Sequence, residues 1–294
     1  MIAILGGFGA AALWATANLA SSRSSRLIGA SSTVAWMMLV GLAVTTPFAV
    51  ASGPLPAITP TLAVWLTASG VGGVIGLLLV YRGLRIGKVG VVLALASTEG
   101  AIAAVFAVVA GESLTVPAAL VLGVIAIGVA TVALAGGGAA EPTQLDGGAG
   151  PRSGLSAEQR AALFGAAAAI AFGFSIYGTA KAGISLPIAV AVLPARIVGV
   201  AFVFVPMALA GRLRMTRRAA PMVVIVGLGE VLGNACYVVG ARQSIAVASV
   251  LASQFAAIAA VAAFLLFRER LSTRQRSGFV AIAVGIAALT LVRG

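Results

Sequence analysis

The chain has 294 residues, 61% of them hydrophobic and only 9% charged, with 19 lysines and arginines against 7 acidic residues and a formal net charge of +12. That composition excludes a soluble globular domain, and a chain without histidine and with one cysteine, Cys236, cannot build a conventional transition-metal site or an intramolecular disulfide. The positive balance would suit nucleic acid, but the basic residues gather at the ends of apolar runs, where membrane topology accounts for them, so no nucleic-acid partner is expected.

A bilayer core of about 30 Å takes about 20 apolar helical residues. Runs of that size fall near 2–20, 29–51, 60–81, 89–110 and 116–136, and after a break near 162–180, 188–210, 220–240, 244–267 and 278–292. They are apolar all round rather than alternating, which argues for helices and against a transmembrane barrel. The first run ends in "ATANLASS", which offers the small residues of a signal-peptide cleavage site, yet no basic residue precedes Arg23, so the run is read as a membrane helix.

The break, "GGGAAEPTQLDGGAGPRSGLSAEQR" at 136–160, is rich in Gly, Pro and Ser and reads as a flexible connector. Ser156 and Gln159 have capping-box spacing, so the next helix is expected to begin there. The halves on either side match. "YRGLRIGKVGVVLALAS" from Tyr81 faces "YVVGARQSIAVASVLAS" from Tyr237, "GESL" at 111 faces "RERL" at 268, "LWATAN" from Leu13 faces "AFGFSI" from Ala171, and Gly41 faces Gly199. Similar features recur at separations of about 156 to 159 residues along five successive runs, the mark of a tandem repeat. Five is odd, so the second unit enters the membrane from the other side. The expected fold is therefore an all-α membrane protein of ten transmembrane helices in two inverted five-helix repeats, 1–136 and 161–294, joined by a linker at 137–160. Glu112 and Glu269 occupy matching elbows between the fourth and fifth helices of each half, where they are read as capping helix ends or pairing with arginines.

The order of a first helix with "LWATAN", an arginine early in a second helix ("PARIVG"), a Tyr ending the third and an "ERL…G…G" elbow leading to the fifth resembles the EamA-like branch of the drug/metabolite transporter superfamily. The resemblance covers nearly the whole chain. It implies ten helices around a central cavity and movement of small metabolites or drugs, often outward. The first half departs from the pattern: Trp36 stands where the second half has Arg196, and "GESL" lacks the arginine of "RERL".

Lysines and arginines orient a membrane protein. The loops joining odd to following even helices hold fifteen, against Lys181, Arg242 and Arg293 on the other side, which puts those loops in the cytoplasm and both termini outside, in a membrane of the bacterial inner type. A charge near the bilayer centre costs several kcal/mol unless it is paired or faces water, so function is sought at the few internal polar residues. Glu99 and Glu230 each lie mid-run, Asn234 and Tyr237 follow Glu230 on one helical face, Arg196 lies about two turns into the seventh run, and Gln254 lies mid-run in the ninth. Trp14 joins them as an aromatic wall residue. A single internal arginine cannot neutralise two midplane carboxylates, so one of them must hold a proton or face water, and both are candidates for proton coupling. Arg196 and Asn234 have equally plain structural readings, as a counter-ion and an interhelical hydrogen bond. The pairs Gly229/Gly233 and Gly72/Gly76 read as close helix contacts, and Trp36, Trp65, Phe172, Phe174, Tyr177 and Phe255 as packing.

The chain shows no GxSxG, HExxH or GxxxxGK[ST], so neither enzyme activity nor a cofactor is expected. The reading is a secondary transporter of a small amphoteric, amino-acid-like metabolite, an exporter working by alternating access, with the lipid bilayer and its substrate as partners. A zwitterion would place its ammonium on a glutamate and its carboxylate on Arg196, using all three charges. The alternatives are a proton-coupled exporter of organic cations or drugs and, in another class, a membrane scaffold or receptor without transport. The sequence is silent on oligomeric state.

Overall fold

The computed structural model describes residues 1–86, 92, 95–136, 157–255, 257–258, 277–278, 280–281, 284–285 and 288. The linker residues 137–156, the elbow carrying Glu269 and most of the tenth expected run lie outside the described residues. Among the described residues every regular element is helical: α1 (Ile2–Ile28), α2 (Ala30–Val50), α3 (Pro60–Ile86), α4 (Glu99–Val109), α5 (Val116–Gly136), α6 (Ala157–Ser185), α7 (Ile188–Leu209), α8 (Ala220–Ala241) and α9 (Ile245–Ala252). Six spans are long and apolar enough to cross a membrane: α1, α2, Pro60–Leu84 of α3, Gln159–Ser185 of α6, α7 and α8. Together with the shorter apolar helices they make an all-helical membrane protein.

Some boundaries move. α1 continues past residue 20 to Ile28, carrying Arg23 and Arg26 on its last turns, and Gly29 alone turns the chain into α2 at φ 85°, a left-handed angle that glycine adopts without a Cβ clash. α6 starts at Ala157, directly after Ser156, so 157–160 of the expected linker are helical. α7 carries a π-helical stretch over Val200–Phe204, where the Val205 N–H bonds to the Val200 carbonyl and Pro206 follows without an N–H to continue the regular ladder.

The fourth and ninth runs are not continuous helices. Each breaks mid-run, at Ser97–Thr98 and at Ser253–Gln254. The Thr98 hydroxyl donates to the Leu95 carbonyl at 2.7 Å and the Ser253 hydroxyl to the Val250 carbonyl at 2.8 Å. Short polar side chains that bond back to the preceding turn compete with the helical ladder, which accounts for both breaks.

Packing between the halves is reciprocal. α1 lies along α8, and α3 lies along α6. Gly229 meets Leu13 and Ala17 of α1, and Gly233 meets Trp14; Gly72 meets Ala171 and Ser175 of α6, and Gly76 meets Phe172. Every partner in the second set is the counterpart, at the offset read from the sequence, of a partner in the first. α4 packs on α9 and α2 on α7, each pair joining equivalent elements. The glycines let backbones approach closely where lipid offers no hydrophobic drive to bring helices together, as their spacing predicts.

Candidate substrate site within the helix bundle

Arg196 is 3% exposed and reaches from α7 between α2 and α8. Its Nη2 lies 3.5 Å from a carboxylate oxygen of Glu230, whose side chain is 27% exposed, and its Nη1 contacts the Met38 sulfur at 3.8 Å. A charge-assisted hydrogen bond runs at about 2.7–2.9 Å. The pair is thus an ion pair with most of the guanidinium's donors still available, and Nε has no partner among the described residues. Gly41 makes room for the arginine, because a Cβ there would stand 2.9 Å from Arg196 Cδ. Gly199 faces Met38 in the same manner. That reciprocity corrects the sequence alignment: the structural counterpart of Arg196 is Met38, while Trp36 is bound elsewhere, donating to the Arg214 carbonyl at 3.0 Å and packing edge-on against Phe204.

Glu99 is not mid-helix; it is the first residue of α4, just past the break, and half-buried. A helix N-terminus favours negative charge. Its backbone carbonyl lies against Gly173 of α6. Asn234 bonds within its own helix, its amide donating to the Glu230 carbonyl at 2.7 Å.

Trp14 rests on Gly233, one turn beyond Glu230, with ring neighbours Tyr237 and Phe255 at centroid distances of 6.2 Å. Tyr237 is fully buried, and its hydroxyl bonds to Ser249 Oγ at 2.8 Å and the Ile176 carbonyl at 3.2 Å. It therefore ties α6, α8 and α9 together. Gln254, at the α9 break, donates to the Val250 carbonyl at 3.1 Å and leaves Oε1 without a partner among the described residues. Trp14 Nε1 and the Tyr177 hydroxyl are likewise buried and unpartnered among the described residues. Buried polar atoms are rarely left unpaired, so these mark positions able to meet a ligand.

Sequence reasoning read Tyr177 as packing and missed the two helix breaks. The signal for the breaks was present as adjacent polar pairs, Ser97–Thr98 and Ser253–Gln254, inside otherwise apolar runs. Tyr177 carried no comparable mark. Away from these groups, Glu112 acts as the elbow reading expects. Its carboxylate accepts from Ser244 Oγ at 2.6 Å, Ile245 N at 3.0 Å and Ala246 N at 3.3 Å, capping α9 from the opposite half. Arg242 donates to the Gly183 and Leu186 carbonyls at 2.8 and 3.0 Å, closing the C-terminal end of α6.

Among the solved structures similar to this chain, one crystal structure has a TM-score of 0.72 at 19% sequence identity, over 99% of this chain and 96% of the other, and shows that the fold is shared. No curated protein matches. Residues 1–134, the half that departed most from the expected motifs, match the model of the EamA-like transporter family.

Proposed function

We propose that the chain is a secondary transporter of a small amphoteric, amino-acid-like metabolite, working as an exporter by alternating access between two inverted five-helix halves, 1–136 and 161–294, joined by the 137–160 linker. The observation that carries this reading is the reciprocal packing of α1 on α8 and α3 on α6, with α4 on α9 and α2 on α7. A two-fold relation between halves requires such an exchange of partners, and an odd number of helices per half inverts one against the other. The matched breaks in α4 and α9 support it, since discontinuous helices place backbone polar groups at membrane depth only where protein or a cavity receives them.

In this reading the substrate ammonium meets Glu99 or Glu230 and its carboxylate meets Arg196, whose guanidinium has donors to give. Trp14 and Gln254 contribute their free polar atoms, Asn234 its amide oxygen, and Tyr237 fixes the wall behind them. Glu99 and Glu230 are the groups that exchange protons, in a membrane whose cytoplasmic face carries the arginine-rich loops and whose outer face carries both termini. The ion pair between Arg196 and Glu230 favours a second reading, in which Arg196 is structural and Glu99 receives an organic cation.

Flux into proteoliposomes of purified protein tests these readings. Glu99→Gln is expected to abolish pH-gradient-driven flux with protein abundance unchanged, and Glu230→Gln to abolish it at some cost in stability, because Arg196 loses its counter-charge. Arg196→Gln is expected to cripple transport of a zwitterion and spare that of a cation. Absence of flux for every amino acid and organic cation tried would reject transport in favour of a scaffold.

A further inference from the structure

A cavity of about 420 Å³ lies at one end of the bundle, where the start of α3 and the ends of α4 and α6 meet. That size is within the range of about 300–1,000 Å³ typical of small-molecule sites. Its walls are Trp65, Phe106, Phe174 and Tyr177, with Thr61 and Lys181 at the mouth. The four rings form one array: Trp65 meets Tyr177 edge to face at 5.3 Å, Phe106 meets Phe174 edge to face at 5.9 Å, and Phe106 lies tilted against Tyr177 at 6.0 Å. Lys181 Nζ stands 5.4 Å from the Tyr177 ring centroid and makes no ion pair among the described residues. An apolar groove between α3 and α6 shares Phe106 and Phe174 with the cavity and extends it along the bundle.

Aromatic and lysine side chains near helix ends commonly serve only as interfacial anchors. This set is built otherwise. Anchor rings face the headgroups, whereas Tyr177 is 3% exposed, is packed on by Trp65 and Phe106, and has a buried hydroxyl without a partner among the described residues. An aromatic box alone would draw cations to its faces. Lys181 opposes that, and repels a cation while attracting a carboxylate.

We propose that this cavity is a second ligand station, separate from the Glu99–Arg196 region, which receives an apolar body of ring size bearing a carboxylate, with Lys181 as the anchor of that carboxylate. The proposal rests on the transport reading and deepens it by naming the substrate's body and its docking point. The two stations are distinct. Gly173 touches Glu99, and Lys181 follows eight residues later on the same helix, about 12 Å away at 1.5 Å per residue. An α-amino acid, whose ammonium and carboxylate flank one carbon, cannot span that distance, so it occupies the stations in turn. The station lies at the end opposite the arginine-rich loops.

The test is binding to the purified full-length chain in nanodiscs, without flux, using 3-phenylpropionate, 3-phenylpropionamide and 2-phenylethylammonium, which share one ring and differ in charge. The carboxylate is expected to bind about tenfold more tightly than the amide, with the ammonium weakest, as a charge-assisted contact at a partly desolvated lysine would give. Lys181→Gln is expected to erase the preference, Lys181→Arg to keep it, and Trp65→Ala to weaken all three probes alike. Equal binding of carboxylate and amide by the native chain, an unchanged preference in Lys181→Gln, or no binding of any probe overturns the proposal. If the native chain shows no probe selectivity yet transports in the proteoliposome assay, this station alone is rejected. Retained selectivity without flux counts against the transport reading alone.

Discussion

Arg196 is wedged between Gly41, Met38 and Glu230 in the interior of the bundle, whereas Lys181 lines an aromatic cavity with a ring and, among the described residues, no carboxylate beside it. Both are cations on second-half helices, yet only the first has a fixed counter-charge. A buried charge needs its partner to exist at all, so the identity of Arg196 is bound to that of Glu230. Lys181 is half-buried near the end of its helix and has no ion pair among the described residues, which leaves its charge available to a ligand. Removing each charge should therefore produce opposite patterns: at Arg196 and Glu230 a large loss of stability, at Lys181 a loss of recognition with little loss of stability.

The largest effect is expected from Glu230→Leu, which leaves Arg196 buried without a counter-ion. Because Glu230 is itself 27% exposed, the loss should fall below the range for a fully buried pair, at about 2 kcal/mol, read from unfolding in mixed micelles. Replacing both residues, Arg196→Met with Glu230→Leu, should recover most of it, because Met is the residue that α2 presents at the reciprocal position. A double variant no more stable than Glu230→Leu would show that the pair is not what the site depends on. Next in size is Gly41→Ala, whose new methyl would press on Arg196 Cδ at 2.9 Å and should cost about 1.5 kcal/mol, as overpacking does. The cost should shrink in the Arg196→Met background, where the two changes share one contact.

Much of this contrast was legible in the sequence, and the reasons differ by residue. The helical class, the GxxxG contacts and the offset between halves follow from apolar run length and repeated small residues, which act locally and survive any packing detail. Glu112 could be assigned to an elbow because its neighbours set the turn. The setting of Glu99 was misread, because counting residues along an apolar run assumes an unbroken helix, and the Thr98 hydroxyl bonding back to the Leu95 carbonyl marks where that helix breaks. The counterpart of Arg196 was misread for a related reason: an alignment of dissimilar residues cannot place Met38 opposite an arginine, but a glycine facing each of them can. The aromatic cavity was invisible, since Trp65, Phe106, Phe174 and Tyr177 come from three helices whose mutual rotation no linear pattern encodes.

Between the two extremes lies Glu112→Ala. It strips the α9 N-terminus of an acceptor for the Ile245 and Ala246 N–H groups and for the Ser244 hydroxyl, and should cost about 1 kcal/mol, as loss of a helix cap does. Glu112→Gln keeps one acceptor oxygen and should lose less. Hydrogen exchange at residues 245–247 reads the effect directly: protection there should fall while that of α1 is unchanged, and a uniform fall would assign Glu112 a role in global stability instead.

The smallest stability effect, and the sharpest test of the contrast, belongs to Lys181→Gln. A half-buried side chain without an ion pair among the described residues is expected to change unfolding free energy by less than about 0.5 kcal/mol. Its effect should appear in transport instead. If Lys181 only concentrates a carboxylate at the cavity mouth, the variant should raise KM for an apolar zwitterion while leaving kcat near the native value, because the contact is released before the substrate reaches the Glu99 region. The native KM should also rise with ionic strength, as an exposed charge contact is screened within about 10 Å at 0.1 M salt, and the variant should lose that dependence. Arg196→Gln predicts the reverse split, a fall in kcat that salt does not relieve, because its charge is buried among helices. Equal salt dependence in the native chain and in Lys181→Gln would erase the distinction between the two cations.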